Sequence, residues 1–150
     1  MPTDLNLPAS PSVGLRINHT LVNPVVRGIL RSPLHRLLSG SLMLVTFTGR
    51  RSGRRRTNPV GYARDGEALI VLVGWPERKS WWRNLRGGAP VTVVVRGRPL
   101  AGRAEVVTGA DDPARAAALL EVYRRRFPRA GEDLDPGDAV LVRIEPAAGA

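Results

Sequence analysis

The sequence predicts an α+β fold, a small barrel of mainly antiparallel strands with flanking helices. Two observations lead to this class. Short apolar segments recur between turns rich in glycine, proline and aspartate, which is typical of strands joined by hairpins. The segments with helical spacing are few, and they lie between groups of strands instead of alternating regularly with them.

Composition narrows the class of protein. A chain of 150 residues that is 43% hydrophobic can bury one core, so we expect a globular domain. The absence of cysteine excludes disulfides and cysteine-ligated metals, and the two histidines lack a partner at a metal-ligand spacing, so we expect no metal site. No apolar signal segment opens the sequence and no apolar run is long enough to cross a bilayer. These features predict a cytoplasmic protein.

The elements follow in order from the N-terminus. Residues 1–17 are rich in proline and are predicted to form a flexible arm, ahead of a single domain over residues 18–150. Asn23 and Pro24 have the residue types of an N-cap and a first helical position, and apolar residues then continue at helical spacing. We therefore predict a helix over about 24–38. The arginines on its polar side make peripheral membrane contact an alternative to simple packing against the core.

Strands dominate from residue 41 onward. The predicted elements are, in order, the strand SLMLVTFT, the turn GRRSGRR, the strands TNPVGYAR and ALIVLVG, the short helix SWWRNLR, the strands VTVVVRG and LAGRAEVV, a helix to about Arg126, and the strand AVLVRIEP. Asp65-Gly66 and the segment Gly97–Pro99 predict two hairpin tips, and Asp111-Asp112-Pro113 predicts the start of the long helix. The uniformly apolar ALIVLVG strand should be buried on both faces, and one of the two adjacent tryptophans in SWWRNLR should belong to the core.

The most unusual feature is the turn in TFTGRRSGRRRTN, where five arginines lie between positions 50 and 56. The whole chain has a net charge of +10, which indicates an anionic partner. Glycines in the turn would let backbone N–H groups converge on an anion, and guanidiniums would add charge-assisted bonds to a phosphate. The residues alone leave three interpretations open: a nucleic-acid site, a cradle for a phosphorylated ligand, or a solvated turn in an arginine-rich chain.

The ordered motif around this turn resembles one protein family. TFTGRRSGRRRTNPVGYARDG, followed by an apolar strand and SWWRNLRGGAPVTVVV, is similar to the deazaflavin-dependent nitroreductase family of split β-barrel oxidoreductases. The positions that carry the resemblance are Thr48, Gly49, Arg50, Arg51, Ser52, Gly53, Arg56, Pro59, Trp81, Asn84 and Leu85. The resemblance extends over about residues 40–145, and it refines the predicted fold to a split β-barrel of the FMN-binding type.

The resemblance also implies a cofactor, coenzyme F-420, an 8-hydroxy-5-deazaflavin whose tail carries a phosphate and glutamates. The residues implied in binding it are Arg50, Arg51, Ser52, Gly53 and Arg56 for the acidic tail, Thr57, Asn58 and Pro59 for the cofactor edge, and Gly74, Trp75 and Trp81 for the deazaflavin ring. Trp75 and Tyr123 are the candidate contacts to the electron acceptor. No catalytic side chain is assigned, because the cofactor delivers the hydride. Arg55 has no role in the family motif, and it is either a surface residue or, with Arg50 and Arg54, available to the glutamates.

The implied reaction is hydride transfer between the reduced deazaflavin and an electron-poor acceptor, such as a quinone, an enone or a nitroaromatic. Three other functions stay open: a split-barrel flavin reductase that uses FMN, a non-catalytic carrier of the deazaflavin, and a nucleic-acid-binding module. The sequence offers no recognition element for nucleic acid, so we expect no nucleic-acid partner. Because related split barrels often dimerise, a homodimer is a further expectation.

Overall fold

The computed structural model describes residues 41–147. The arm predicted over residues 1–17 and the helix predicted over about 24–38 lie outside the described residues, and so does any membrane contact of that helix. The single domain over residues 18–150 stays a prediction. The chain divides into two compact units, each described by itself below. Within residues 41–147, no helix is long and apolar enough to span a membrane.

The described residues form seven strands, one α-helix and two short 3₁₀ helices. The strands are β1 (Leu42–Thr48), β2 (Arg55–Gly61), β3 (Ala63–Asp65), β4 (Ala68–Leu72), β5 (Ala89–Val95), β6 (Arg98–Thr108) and β7 (Val140–Pro146). The helix is α1 (Pro113–Arg126), and the 3₁₀ helices are Trp81–Leu85 and Pro136–Asp138. The strands form one sheet in the order β2-β1-β5-β6-β7-β4-β3. The pairs β1–β5, β3–β4 and β4–β7 are antiparallel, as predicted.

The described residues of the first unit are 41–60, 90–102 and 146–147. Its central strand is β1, which pairs with β5 and confirms the predicted strand SLMLVTFT. Residues 43–47 are all buried, although alternate side chains of a strand point to opposite faces. Both faces of β1 are therefore covered, which explains its nearly continuous apolar sequence.

β2 begins at Arg55, earlier than the predicted start at Thr57. The N–H of Gly49 donates to the carbonyl of Arg54 over 2.8 Å, and the N–H of Gly53 donates to the carbonyl of Gly49 over 2.9 Å. These two bonds close the turn at residue 54 and leave the next residue free to enter the strand. The predicted strand TNPVGYAR is also wrong in its continuity, since a break separates β2 from β3.

The hairpin between β5 and β6 turns one residue earlier than predicted. Its tip is Arg96-Gly97, with φ values of 53° and 77°, and Pro99 lies within β6. A two-residue turn with positive φ at both positions has the backbone twist that a hairpin favours. The prediction of Gly97–Pro99 as the tip is therefore wrong, because Arg96 adopts a left-handed backbone conformation and forms the turn with Gly97.

The second unit comprises residues 61–89 and 103–145. β4 lies between β3 and β7, and residues 68–71 are buried, which confirms that the ALIVLVG strand is covered on both faces. Gly66 has a φ of 63° at the β3–β4 turn, as the Asp65-Gly66 signal predicted. The core of this unit contains Ala63, Ile70, Val107, Ala116, Leu119, Leu120, Tyr123, Ala139 and Leu141.

Helix α1 begins where the sequence predicted. The Asp112 side chain accepts a hydrogen bond of 3.1 Å from the N–H of Arg115, and Pro113 occupies the first turn. Glu105 on β6 accepts two hydrogen bonds from the Arg115 guanidinium, one of them 3.1 Å long. Arg143 on β7 lies 3.9 Å from the same carboxylate. These contacts attach the start of α1 to the sheet of the second unit.

Candidate functional site

The candidate site starts at residues 49–56, which we call the arginine segment. Three of its backbone N–H groups are already engaged. Those of Gly49 and Gly53 bond within the turn, and that of Arg54 donates to Ser52 Oγ over 3.1 Å. These three N–H groups therefore take no part in anion binding as the turn stands, and the convergence of the segment's other N–H groups on an anion stays a prediction. The segment's side chains are further groups that an anion could meet.

Ser52 and Arg56 both approach Gly49. A Cβ atom added to Gly49 would lie 2.8 Å from Ser52 Oγ and 4.0 Å from Arg56 Nε, so a larger residue would displace the hydroxyl. Because Ser52 Oγ accepts the Arg54 N–H, its hydroxyl proton is left to donate. A hydroxyl donor and a guanidinium beside one glycine are groups that suit a phosphate.

The arginines of the segment differ in exposure. Arg50, Arg51, Arg54 and Arg56 are exposed, whereas Arg55 is partly buried. Burial lowers the pKa of the Arg55 guanidinium below its ordinary value. Arg55 is therefore less exposed than the other arginines of the segment, and its two predicted roles both stay open.

The residues predicted along the cofactor edge lie on β2. Thr57 Oγ1 is 2.8 Å from Oγ1 of Thr46, a buried residue of β1, so this hydrogen bond fixes Thr57 against the first unit's core. Asn58 is partly buried and Pro59 is exposed. β2 stands at the edge of the sheet that the described residues form, where a proline without an N–H is tolerated.

The residues predicted to face the deazaflavin ring belong to the second unit. Gly74 and Trp75 follow β4, and the Trp75 side chain is 67% exposed. Its φ of 47° is uncommon for a bulky residue, and its carbonyl accepts the N–H of Arg78 over 2.9 Å. Trp81 is partly buried at the start of its 3₁₀ helix, where its carbonyl accepts the Asn84 amide over 3.1 Å. A left-handed backbone at a residue with an exposed indole is the kind of feature that ligand sites carry.

Trp82, to which the sequence assigned no role at the site, packs in the core and holds the 3₁₀ helix against the preceding loop. It is 5% exposed, and its Nε1–H donates to the carbonyl of Pro76 over 3.0 Å. The guanidiniums of Arg83 and Arg86 lie 5.4 and 5.1 Å from its ring centroids. The prediction that one of the paired tryptophans is a core residue is confirmed, and it leaves Trp81 as the more accessible of the two.

Tyr123, the other candidate acceptor contact, is largely a packing residue. It is 8% exposed, its ring centroid lies 4.9 Å from that of Phe127, and burial raises the pKa of its phenol. Its hydroxyl is 3.4 Å from the carbonyl oxygen of Gly61, which is long for a hydrogen bond. Tyr123 also borders a cleft of about 540 Å³, whose other lining residues are Arg126, Phe127, Pro128, Arg129 and Ala130.

Comparison with known protein families gives one match. The sequence profile of the F420H(2)-dependent quinone reductase family matches residues 26–129, which is 104 of the 150 residues. The matched range includes the arginine segment, the 3₁₀ helix with the paired tryptophans, and α1.

Two solved structures share the fold. The structure of an F420-H2 dependent reductase, FDR-A, superposes with a TM-score of 0.55 at 18% sequence identity, covering 71% of this chain and 96% of the other. A protein solved as a domain-swapped dimer gives a TM-score of 0.58 at 18% identity, covering 91% of this chain and all of the other. The predicted fold class, an α+β fold of the split β-barrel type, is confirmed.

Proposed function

Because this chain belongs to the F420H(2)-dependent quinone reductase family, we propose that it transfers hydride from reduced coenzyme F-420 to a quinone. Membership confirms the enzyme class predicted from the sequence, a deazaflavin-dependent reductase, and its cofactor, coenzyme F-420. The family match over residues 26–129 is the observation that carries the proposal of a quinone. Enones and nitroaromatics, the other acceptors expected from the sequence, have no comparable support.

The arginine segment fits the acidic tail of this cofactor. Its exposed guanidiniums and the Ser52 hydroxyl are donors of the kind that phosphate accepts, and no acidic residue occurs between positions 41 and 64 to compete for them. We propose that Arg51, Ser52 and Arg56 bind the phosphate, with Arg50 and Gly53 beside it. When bound, reduced coenzyme F-420 supplies a hydride, and the quinone takes up one proton as well to become a quinol.

The chain's own part is to bind, orient and exclude water. Thr57 is held by its bond to the buried Thr46, so β2 would offer a rigid border to the cofactor edge together with Asn58 and Pro59. We also propose that Gly74, Trp75 and Trp81 contact the deazaflavin ring.

Trp75 is the stronger candidate for contact with the acceptor. Its exposed indole offers an apolar face on which a flat quinone can stack. Tyr123 is buried and can offer little more than a ring edge. We therefore expect Trp75→Ala to raise the KM for the quinone more than Tyr123→Phe does.

Three other expectations belong to the same proposal. A homodimer is supported by the shared fold with a protein solved as a domain-swapped dimer. A cytoplasmic location and a peripheral membrane contact through the helix over about 24–38 stay predictions.

Mixing the purified protein with reduced coenzyme F-420 and a soluble quinone tests the proposal. The absorbance of the oxidised deazaflavin should return at a rate that saturates with quinone and depends on the protein, whereas reduced FMN should not replace the cofactor. A deazaflavin carrier would bind the cofactor without turnover. Reduction of nitroaromatics or enones but of no quinone would contradict the proposed acceptor.

Arg56→Ala provides the matching test of the binding residues. It should weaken coenzyme F-420 binding by about 1–3 kcal/mol, the usual loss for a hydrogen bond to a charged group. Arg98→Ala is a suitable control, since Arg98 is an exposed arginine of the same unit outside the segment. Equal affinity of the Arg56→Ala variant and the control would remove Arg56 from the site.

A further inference from the structure

The connection between α1 and β7, residues 127–135, consists of turns and irregular backbone. Two turns are closed within it, by the N–H of Ala130 on the carbonyl of Phe127 and by the N–H of Leu134 on the carbonyl of Gly131, both over 2.9 Å. The whole connection belongs to the second unit. Because regular hydrogen-bonded structure does not continue through it, side chains from other elements must hold its backbone in one place.

Arg124, in the last turn of α1, binds this connection at three points. Its Nε–H donates to the carbonyl of Ala130 over 3.1 Å, and its Nη2 donates to the carbonyl of Gly131 and lies 3.4 Å from that of Leu134. The connection also carries three acidic side chains, yet no ion pair found among residues 41–147 includes Arg124. The planar guanidinium therefore holds backbone atoms instead of a carboxylate.

The part of the connection that Arg124 holds lies near both candidate contacts to the acceptor. Ala130 lines the cleft that Tyr123 also borders. A Cβ atom added to Gly131 would lie 3.4 Å from Cδ2 of Leu72, the last residue of β4. Trp75 follows Leu72 by three residues, a backbone reach of at most about 10 Å. The held backbone thus extends from the cleft to the end of β4.

We propose that Arg124 is a positioning residue for the reaction: it holds the α1–β7 connection as one wall of the space in which the quinone binds. This inference rests on the proposed function. Arg124 needs no contact with the cofactor or the quinone for this role. Because a displacement of about 1 Å is enough to spoil the fit of a bound ring, loss of the three contacts should weaken quinone binding more than it slows hydride transfer.

Steady-state kinetics with reduced coenzyme F-420 and a soluble quinone test this role. Arg124→Lys keeps the positive charge and loses the planar fork, so it should raise the KM for the quinone about five- to tenfold. Its kcat, and its dissociation constant for coenzyme F-420 measured by calorimetry, should change by less than about twofold. The matched control is Arg125→Lys, which changes an exposed neighbour that pairs with Glu121 on the same helix and should leave the KM unchanged.

Gly131→Ala perturbs the same wall while Arg124 stays in place. The added Cβ would lie 3.2 Å from the Leu134 side chain, and the φ of 58° is one that alanine rarely adopts. This variant should also raise the KM for the quinone. The double variant should raise it by less than the product of the two single effects, because both changes displace one wall. An unchanged KM in either single variant, or effects that simply multiply, would overturn the inference.

Glu105→Gln separates positioning from loss of stability. Glu105 bonds to Arg115 at the start of α1, nine residues and about 13 Å along the helix from Arg124. This variant should lower the melting temperature and keep the wild-type KM when assayed well below that temperature. If the KM instead rises with the loss of melting temperature in Glu105→Gln as it does in Arg124→Lys, the inference is overturned and Arg124 is a structural residue only.

Failure of the proposed function has a different result in the same experiment. If the wild-type protein oxidises reduced coenzyme F-420 with no quinone, the proposed function and this inference fall together. If the wild type turns over a quinone and Arg56→Ala weakens cofactor binding, while Arg124→Lys and Gly131→Ala both keep the wild-type KM, only the role of Arg124 is wrong.

Discussion

Replacing each member of the Trp81-Trp82 pair by alanine should separate stability from cofactor binding. Trp82 is 5% exposed and donates to the Pro76 carbonyl over 3.0 Å, whereas Trp81 is only partly buried. We expect Trp82→Ala to lower the free energy of unfolding by about 3–5 kcal/mol, the usual cost of deleting a buried aromatic side chain. Trp81→Ala opens to solvent instead of leaving a closed cavity, so it should cost about 1–2 kcal/mol.

The contacts of Trp82 show where this cost arises. The lost hydrogen bond to Pro76 accounts for about 1 kcal/mol, and the two arginines over the ring for about 0.5–1 kcal/mol each. Lost apolar burial and the cavity supply the remainder. At about 3 °C per kcal/mol for a chain of this length, Trp82→Ala should lower the melting temperature by about 9–15 °C and Trp81→Ala by about 3–6 °C.

Thermal denaturation of the cofactor-free variants measures the first effect, and calorimetric titration with coenzyme F-420 measures the second. Trp82→Phe is the matched control: it keeps a ring in the core and removes the Nε1 donor, so it should cost much less than Trp82→Ala. We expect Trp81→Ala to weaken cofactor binding beyond what its small loss of stability explains. Equal losses of melting temperature for the two alanine variants, or wild-type affinity in Trp81→Ala, would refute the reasoning.

Three further changes test other parts of the structure. Arg115 holds the pKa of Glu105 below its ordinary 4.5, so the pair stabilises the fold above that pH and the effect is lost as the pH falls through the lowered pKa. Glu105→Gln should therefore reduce the urea midpoint at neutral pH and approach the wild type in acid, and a gap that does not change with pH would count against this contact. Asp112→Ala should destabilise the protein by about 1 kcal/mol in thermal melts while Asp112→Asn, which keeps an acceptor, costs less, and equal losses would argue against the N-cap. Gly49→Ala would place a Cβ 2.8 Å from Ser52 Oγ, so it should weaken coenzyme F-420 binding several-fold by calorimetry, and unchanged affinity would exclude that hydroxyl from the phosphate site.

The order of the elements was predictable because local signals agreed with one another. Asp65-Gly66 lies between two apolar segments, and Asp112-Pro113 stands before a helical one, so each boundary had a chemical cause within a few residues. The start of β2 has no such local signal. Arginine has no marked preference for strands, and the polar run hides the alternation of faces. The hydrogen bond between Gly49 and Arg54 sets that boundary, and no residue type in the sequence signals it.

The residues of the candidate site were predictable from the motif, but their surroundings were not. The sequence indicated that one of two adjacent tryptophans is buried, yet the choice between them depends on which indole N–H reaches the carbonyl of Pro76. The left-handed backbone at Trp75 is likewise set by the turn that its carbonyl closes, and the side chain is left exposed. Such contacts join separate segments, and the sequence of neither segment alone predicts them.

The sequence leaves two assignments open, the role of Arg55 and the choice of the buried tryptophan. Each concerns a pair of identical neighbours, Arg55-Arg56 or Trp81-Trp82, whose side chains the backbone directs apart. In β2 the pleat sends neighbours to opposite faces, and in a 3₁₀ helix neighbours diverge by about 120°. One residue inserted between Gly49 and Arg54 would shift β2 by one position and exchange the two arginine environments without changing the number of arginines. The length of the closed turn, rather than the amount of positive charge, therefore decides which of the two guanidiniums is the more exposed.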